Sequence, residues 1–175
     1  MGRLLGKAPE KMTKSGILLT WLRDEFGTLP EDPTELDLLY AARAYMLDLI
    51  GSVILTNSSK CKVAYKWLMY VEHIDFCGGH AWGSAVLSNL YSEMTRVALK
   101  QKKELCGCPL FLQVWSWMRI PFGRPNLLEN VALNRTLPLG CRWNVYRSMS
   151  YQPDRAHTFY RDMIDTIEPS QVSNC

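Results

Sequence analysis

The sequence predicts an all-α fold: a single compact multi-helix domain with an irregular, Arg- and Trp-containing loop region near residues 121–153. Three observations predict it. Apolar residues recur at three- and four-residue steps along most of the chain, which is the period of an amphipathic helix. Helix starters and breakers flank those stretches, and no stretch alternates apolar and polar residues convincingly enough for a strand. The 175 residues are about the length of one domain. A content of 47% hydrophobic and 21% charged residues, with six Trp, supports a buried core and excludes a disordered chain.

Taken in order, Ile17, Leu18, Trp21, Leu22 and Phe26 form one face of a short helix that Gly27 ends. Residues 30–33 then turn, and Asp32, Pro33 and Glu35 read as a cap, a first-turn proline and an acid at the positive end of the next helix. That helix is expected to be long, with Leu36, Leu39, Tyr40, Leu47, Ile50 and Ile54 facing the core. Its small residues Ala41, Ala42, Ala44 and Gly51 allow a neighbouring helix to come close, and residues 57–59 stop it. A shorter helix is predicted over residues 63–74, with Val63, Trp67, Leu68 and Val71 on one face. After Gly78 and Gly79, residues 81–99 continue as helix, Trp82, Ala85, Val86, Leu90 and Val97 inward and Lys100, Lys102 and Lys103 at its negative end.

Pro109 opens a nearly all-apolar segment over residues 110–120, predicted as a buried central helix, within which Trp115 and Trp117 cannot share one face. At least one of the two is therefore expected in the centre of the core. Pro121, Gly123 and Pro125 terminate the segment, and residues 126–153 read as loop with at most short elements. Residues 154–167 form a last helix. In domain terms, residues 1–35 read as an N-terminal helix and linker, and residues 36–172 as the main domain.

The charge balance of +3 is too small to indicate nucleic acid, acidic substrates or an anionic membrane. The N-terminus is too polar for a signal peptide, and the longest apolar run is about half of a membrane span, so no membrane partner is expected. Six cysteines without a framework spacing read as reduced thiols. Cys77 with His80, and Cys106 with Cys108, lack the paired spacing that structural zinc takes, so neither a metal nor another cofactor is expected. Signatures of hydrolases, metalloproteases, P-loops and dinucleotide folds are absent from the sequence, and no catalytic pair is announced.

Local charge is uneven. Arg119, Arg124, Arg135, Arg142 and Arg147 lie among Trp117, Trp143 and Tyr146, a mixture suited to phosphate contact plus base stacking. The same residues also suit arginines that bridge loop carbonyls and stack on tryptophan inside one domain. The second reading is preferred, with Arg119 and Arg124 holding the loop and stacking on Trp143. A nucleic-acid-binding module is the alternative function, and an enzyme stands behind both.

Four stretches in this order resemble the plant mobile domain family, also labelled aminotransferase-like. They are residues 43–52, which begin at Arg43; residues 81–91, with Trp82 and Gly83; residues 107–117, with Trp115 and Trp117, followed by Arg119 and by Arg124 within residues 123–125; and Arg142 with Trp143, followed by Tyr160, Arg161, Gln171 and Val172. The resemblance covers residues 36–172 and implies a truncated copy of a mostly helical, transposon-derived domain. It further implies a non-enzymatic interaction module of plant nuclear proteins concerned with transcriptional or transposon silencing, genome integrity and meristem maintenance. Such a module works through protein partners, a phosphatase-like nuclear protein among them. Some relatives carry a fused serine/threonine phosphatase, but that enzyme's metal-binding signature does not occur in this chain.

Overall fold

The computed structural model describes residues 1–10, 13–120, 126–127, 139–144, 146–148 and 157–172. The described residues are mainly helical, and the chain divides into two compact units, Met1–Pro109 and Leu110–Cys175. Unit 1 contains α1 (Gly2–Leu5), β1 (Ile17–Leu18), α2 (Leu19–Phe26), α3 (Glu35–Leu49), a π-helical turn (Ile50–Ile54), β2 (Lys62–Val63), a 3-10 turn (Tyr65–Trp67), α4 (Leu68–Val71), α5 (Ile74–Cys77) and α6 (Trp82–Ala98).

The start of α3 shows how local chemistry sets an element. Thr34, not Asp32, is the cap: its Oγ1 accepts from the Asp37 backbone N–H at 3.2 Å, and the Asp37 carboxylate accepts from the Thr34 N–H at 3.0 Å. This reciprocal pair satisfies two donors that a helix start otherwise leaves open. Hydrogen bonds from Thr34 hold the Asp37 carboxyl below its ordinary pKa. Asp32 stands too far upstream to reach the first-turn N–H groups.

Along α3 the inward face is Ala44, Leu47 and, just beyond, Ile50, all buried. Leu36 was expected there, but it is 57% exposed. The buried cluster of unit 1 consists of Leu5, Ile17, Leu19, Leu22, Ala44, Leu47, Ile50, Val63 and Val71. Residues 1–35 thus supply Leu5, Ile17, Leu19 and Leu22, which share one core with α3.

Two short strands replace the helical starts read at residues 17 and 63. β1 and β2 pair antiparallel, Ile17 opposite Val63 and Leu18 opposite Lys62. Ile17 and Val63 are each 1% exposed, and β-branched side chains pack well on such a ladder. Gly16, at φ +149°, leads into β1 where an added Cβ would stand 2.3 Å from the Val63 carbonyl oxygen, so only glycine fits. Gly51 has a related role: a Cβ there would meet Leu19 Cδ2 and Val63 Cβ at 2.8 Å. The small residue does permit close approach, but of α2's first residue and a strand rather than of a helix flank alone.

The helix predicted over residues 63–74 is broken into β2, the 3-10 turn, α4 and α5, because Ala64 and His73 take extended backbone conformations. α6 follows its prediction closely.

In unit 2, α7 runs from the Pro109 boundary to Arg119. β3 (Asn126–Leu127) and β4 (Tyr146–Ser148) pair antiparallel, around a 3-10 helix (Leu139–Asn144); α8 (His157–Asp165) and a 3-10 turn (Pro169–Gln171) follow. α7 is not the buried helix expected: none of its residues is buried, and Leu110, Phe111 and Trp115 are 55%, 45% and 49% exposed. An apolar run shows that burial would be favourable, while the partners available decide whether it happens. In unit 2, Val114 Cγ1 lies 3.8 Å from where a Cβ on Gly140 would stand, and the Trp117 ring meets Trp143. Trp117 is half-buried rather than central. Of residues 154–167, the first three lie outside the described residues.

Candidate functional site

The most distinctive surface of unit 1 is aromatic and is built on the short helices α4 and α5. Cys77 anchors it, its thiol donating to the carbonyls of Tyr70 at 2.9 Å and His73 at 3.3 Å. The Trp82 indole then donates Nε1–H to the Cys77 carbonyl at 2.8 Å, which places the ring of this motif tryptophan against its neighbours. Trp82 lies 6.4 Å from Trp67 and 6.2 Å from Tyr70, centroid to centroid, and His80 packs edge-on against Tyr70 at 5.3 Å. Tilted and edge-to-face geometries of this kind favour aromatic pairs. On the outer side of these helices Met69 is 66% and Phe76 73% exposed, and Tyr70 is 38% exposed. Large apolar groups grouped at a surface mark an interaction site more often than scattered ones do.

Arg43, the second motif residue of unit 1, works from inside. Its guanidinium donates to the carbonyls of Leu4 at 2.8 Å and Glu72 at 2.5 Å, closing the last residues of α1 and α4 onto α3. The ion pair from Arg3 to Glu72, at 2.7 Å, adds a second tie across the same seam. Gly83 lies exposed, with nothing within 4 Å of an added Cβ. The structure gives no steric reason for glycine there.

A group that sequence reading missed lies further along α6, on its buried face. Glu93 is 6% exposed and its carboxylate receives Lys102 Nζ at 2.8 Å and Arg96 Nη1 at 3.2 Å. These hydrogen bonds, that from Lys102 foremost, hold its carboxyl below the ordinary glutamate pKa against the opposing effect of burial. Lys102, expected merely to close the helix, is the main partner. A carboxyl whose folded pKa is depressed stabilises the fold above its unfolded pKa, and this contribution is lost as pH falls through the folded value. Glu93→Gln should therefore lower stability by about 1–2 kcal/mol at neutral pH. Thermal melts of variant and parent are expected to converge as pH drops below the usual carboxylate range; a constant gap down to that range would exclude the charged cluster as its cause.

In unit 2, Trp117 and Trp143 pair with ring centroids 5.4 Å apart. Trp143 is 6% exposed, so its ring belongs to internal packing and offers no open face to a base. Its ring partner is Trp117, while Arg119 stands in the last turn of α7. Arg124 and Arg135, and the side chains of Arg142 and Arg147, lie outside the described residues. Trp115 is half exposed and does not join the pair.

Cys106 and Cys108 are buried, Cys61 is exposed, and these three, Cys77 and Cys141 are free thiols. Among the described residues no group of three or more His, Cys, Asp or Glu side chains is placed to hold a metal ion. Nor is any helix among them long and apolar enough to cross a membrane.

No solved structure matches the chain. Curated relatives from Arabidopsis thaliana do. Protein MAIN-LIKE 1 is 36% identical over 99% of this chain and 33% of its own length. The Serine/threonine-protein phosphatase 7 long form homolog is 35% identical over 94% of this chain and 13% of its own. Protein MAINTENANCE OF MERISTEMS is 29% identical over 99% of this chain and 35% of its own. The chain thus spans between 13% and 35% of the length of these relatives. The family model described as "Plant mobile domain" matches residues 1–175, motif residues Arg43, Trp82, Trp117 and Trp143 included, and the chain belongs to the plant mobile domain family.

Proposed function

We propose that the chain is a protein-interaction module of a plant nuclear protein, acting by binding rather than catalysis. In this reading it serves transcriptional or transposon silencing, genome integrity and meristem maintenance, with a phosphatase-like nuclear protein among its partners. The observation that carries the reading is the exposed surface of α4 and α5, where Met69, Tyr70 and Phe76 are exposed and Tyr70 packs among the rings of Trp67, His80 and Trp82. Rigid aromatic anchors bind with little loss of side-chain freedom, and they dominate interface energetics. Family membership and relatives named for meristem maintenance and for a serine/threonine phosphatase support the biological setting.

The test is a calorimetric titration of the purified chain with the phosphatase portion of the phosphatase-named relative. Saturable binding is expected, weakened at least tenfold by Met69→Ser with Phe76→Ser, while the melting temperature stays put because both side chains are exposed. Equal affinity of parent and double variant would remove the aromatic surface from the function. No binding at all would remove the phosphatase-like partner.

A further inference from the structure

A cavity of about 560 Å³ lies in unit 1 between α6, β2 and the turn at residues 55–58, a volume in the range that small ligands occupy. Its α6 wall is polar: Ser88, Asn89, Ser92, Glu93 and Arg96 recur at helical spacing on one side of the helix. Four cations line it, Lys62, Lys66, Arg96 and Lys102, against the single carboxylate of Glu93. Arg96 and Lys102 are engaged by that carboxylate. Lys62 and Lys66 have no carboxylate partner among the described residues: Lys62 Nζ rests 3.3 Å from the Ser15 hydroxyl, and Lys66 Nζ sits 4.8 Å above the Trp67 ring.

Hydrogen-bond donors are also uncommitted. Ser58, Ser88 and Ser92 line the cavity, and their hydroxyls make no hydrogen bond to a described residue. Asn89 also lines the cavity, but its Nδ2 is buried against Gly107, 2.9 Å from where a Cβ there would stand, and is not open to it. The two lysines without an acidic partner match a charge of two, and the serine hydroxyls match an acceptor carrying several oxygens.

We infer that this cavity binds a phosphate monoester dianion, with Lys62 and Lys66 balancing its charge and Ser88 and Ser92 donating to its oxygens. The cavity borders the aromatic surface on which the proposed function rests, Trp67 belonging to both, while its charged groups lie apart from Met69 and Phe76. The chemistry is common to a free phosphate, a nucleoside monophosphate and a phosphorylated side chain, and the probes separate these sources.

The experiment is an NMR titration of the full chain with inorganic phosphate, with AMP and with O-phosphoserine, following the side-chain amide of Asn89. A saturable shift with at least one of the three is expected, and the probe that binds tightest by tenfold or more identifies the source; equal affinities assign the site to the phosphate group itself. Lys62→Ala with Lys66→Ala should weaken binding at least tenfold, whereas Lys103→Ala, outside the cavity, should change it less than twofold. The absence of any saturable shift up to millimolar concentrations would overturn the site. So would an equal loss with Lys103→Ala, which would reduce the effect to general surface charge.

Discussion

Leu47→Ala is expected to destabilise unit 1 by about 3–5 kcal/mol, the range for deleting a fully enclosed leucine from a core that cannot collapse around the gap. Leu47 is 0% exposed and belongs to the cluster built by α1, β1, α2, α3, the π-helical turn, β2 and α4. Collapse is hindered because the elements around it are pinned. Leu19 and Val63 leave no room even for a Cβ at Gly51, which would meet both at 2.8 Å, and the β1–β2 ladder fixes Ile17 opposite Val63. Against total stabilities of roughly 5–15 kcal/mol for a domain, the loss is a large fraction. Denaturant unfolding should show a lower midpoint with an unchanged slope. Leu47→Met, nearly equal in volume, should cost less than about 1.5 kcal/mol. Equal losses from the two substitutions would mean that volume is not what this position supplies.

Arg43→Ala ranks next, at about 2–4 kcal/mol. Two carbonyls, of Leu4 and Glu72, lose a charged donor in a partly buried setting, and hydrogen bonds to charged groups contribute roughly 1.5–3 kcal/mol each. Arg43→Lys should recover less than half, because an ammonium cannot present the planar fork that spans both oxygens. The loss should also be local. α1 has four residues, far too few to persist alone, so amide exchange at Leu4 and Leu5 should accelerate while α6 keeps its protection. Retained protection in α1 would show that Arg43 is not its tether.

The sequence announced the helices through features that act locally. The apolar spacing of α2, α3 and α6, and the proline that opens α7, were readable because each depends on residues within a turn or two. What stayed hidden depends on distant partners. Arg43 was picked out by its motif, but its partners are backbone carbonyls, which no residue identity marks. Glu93 reads as an ordinary solvated acid until Lys102 folds back over the end of α6 to meet it. β1 and β2 span two residues each, too few for any alternation to show. The aromatic bed was half legible. Trp67 and Trp82 were assigned inward positions, yet the exposure of Met69 and Phe76 was not read, because it depends on which neighbours pack against α4 and α5. For α7, hydrophobic composition was mistaken for enclosure.

The way the first residues of the chain are held has a kinetic consequence. Leu4 is tied to a residue 39 positions later, that residue is tied to one 29 positions later again, and the Thr56 hydroxyl reaches Gly107 across 51 positions. Each such tie closes a loop before any contact rewards it, and chains rich in distant contacts fold more slowly than those rich in local ones. α3, with its self-contained cap, can form early, whereas Leu5 and Ile17 wait until residues 63 to 72 are in place. The described residues among 2–18 are therefore completed late, exposed to proteases and chaperones until these distant ties close.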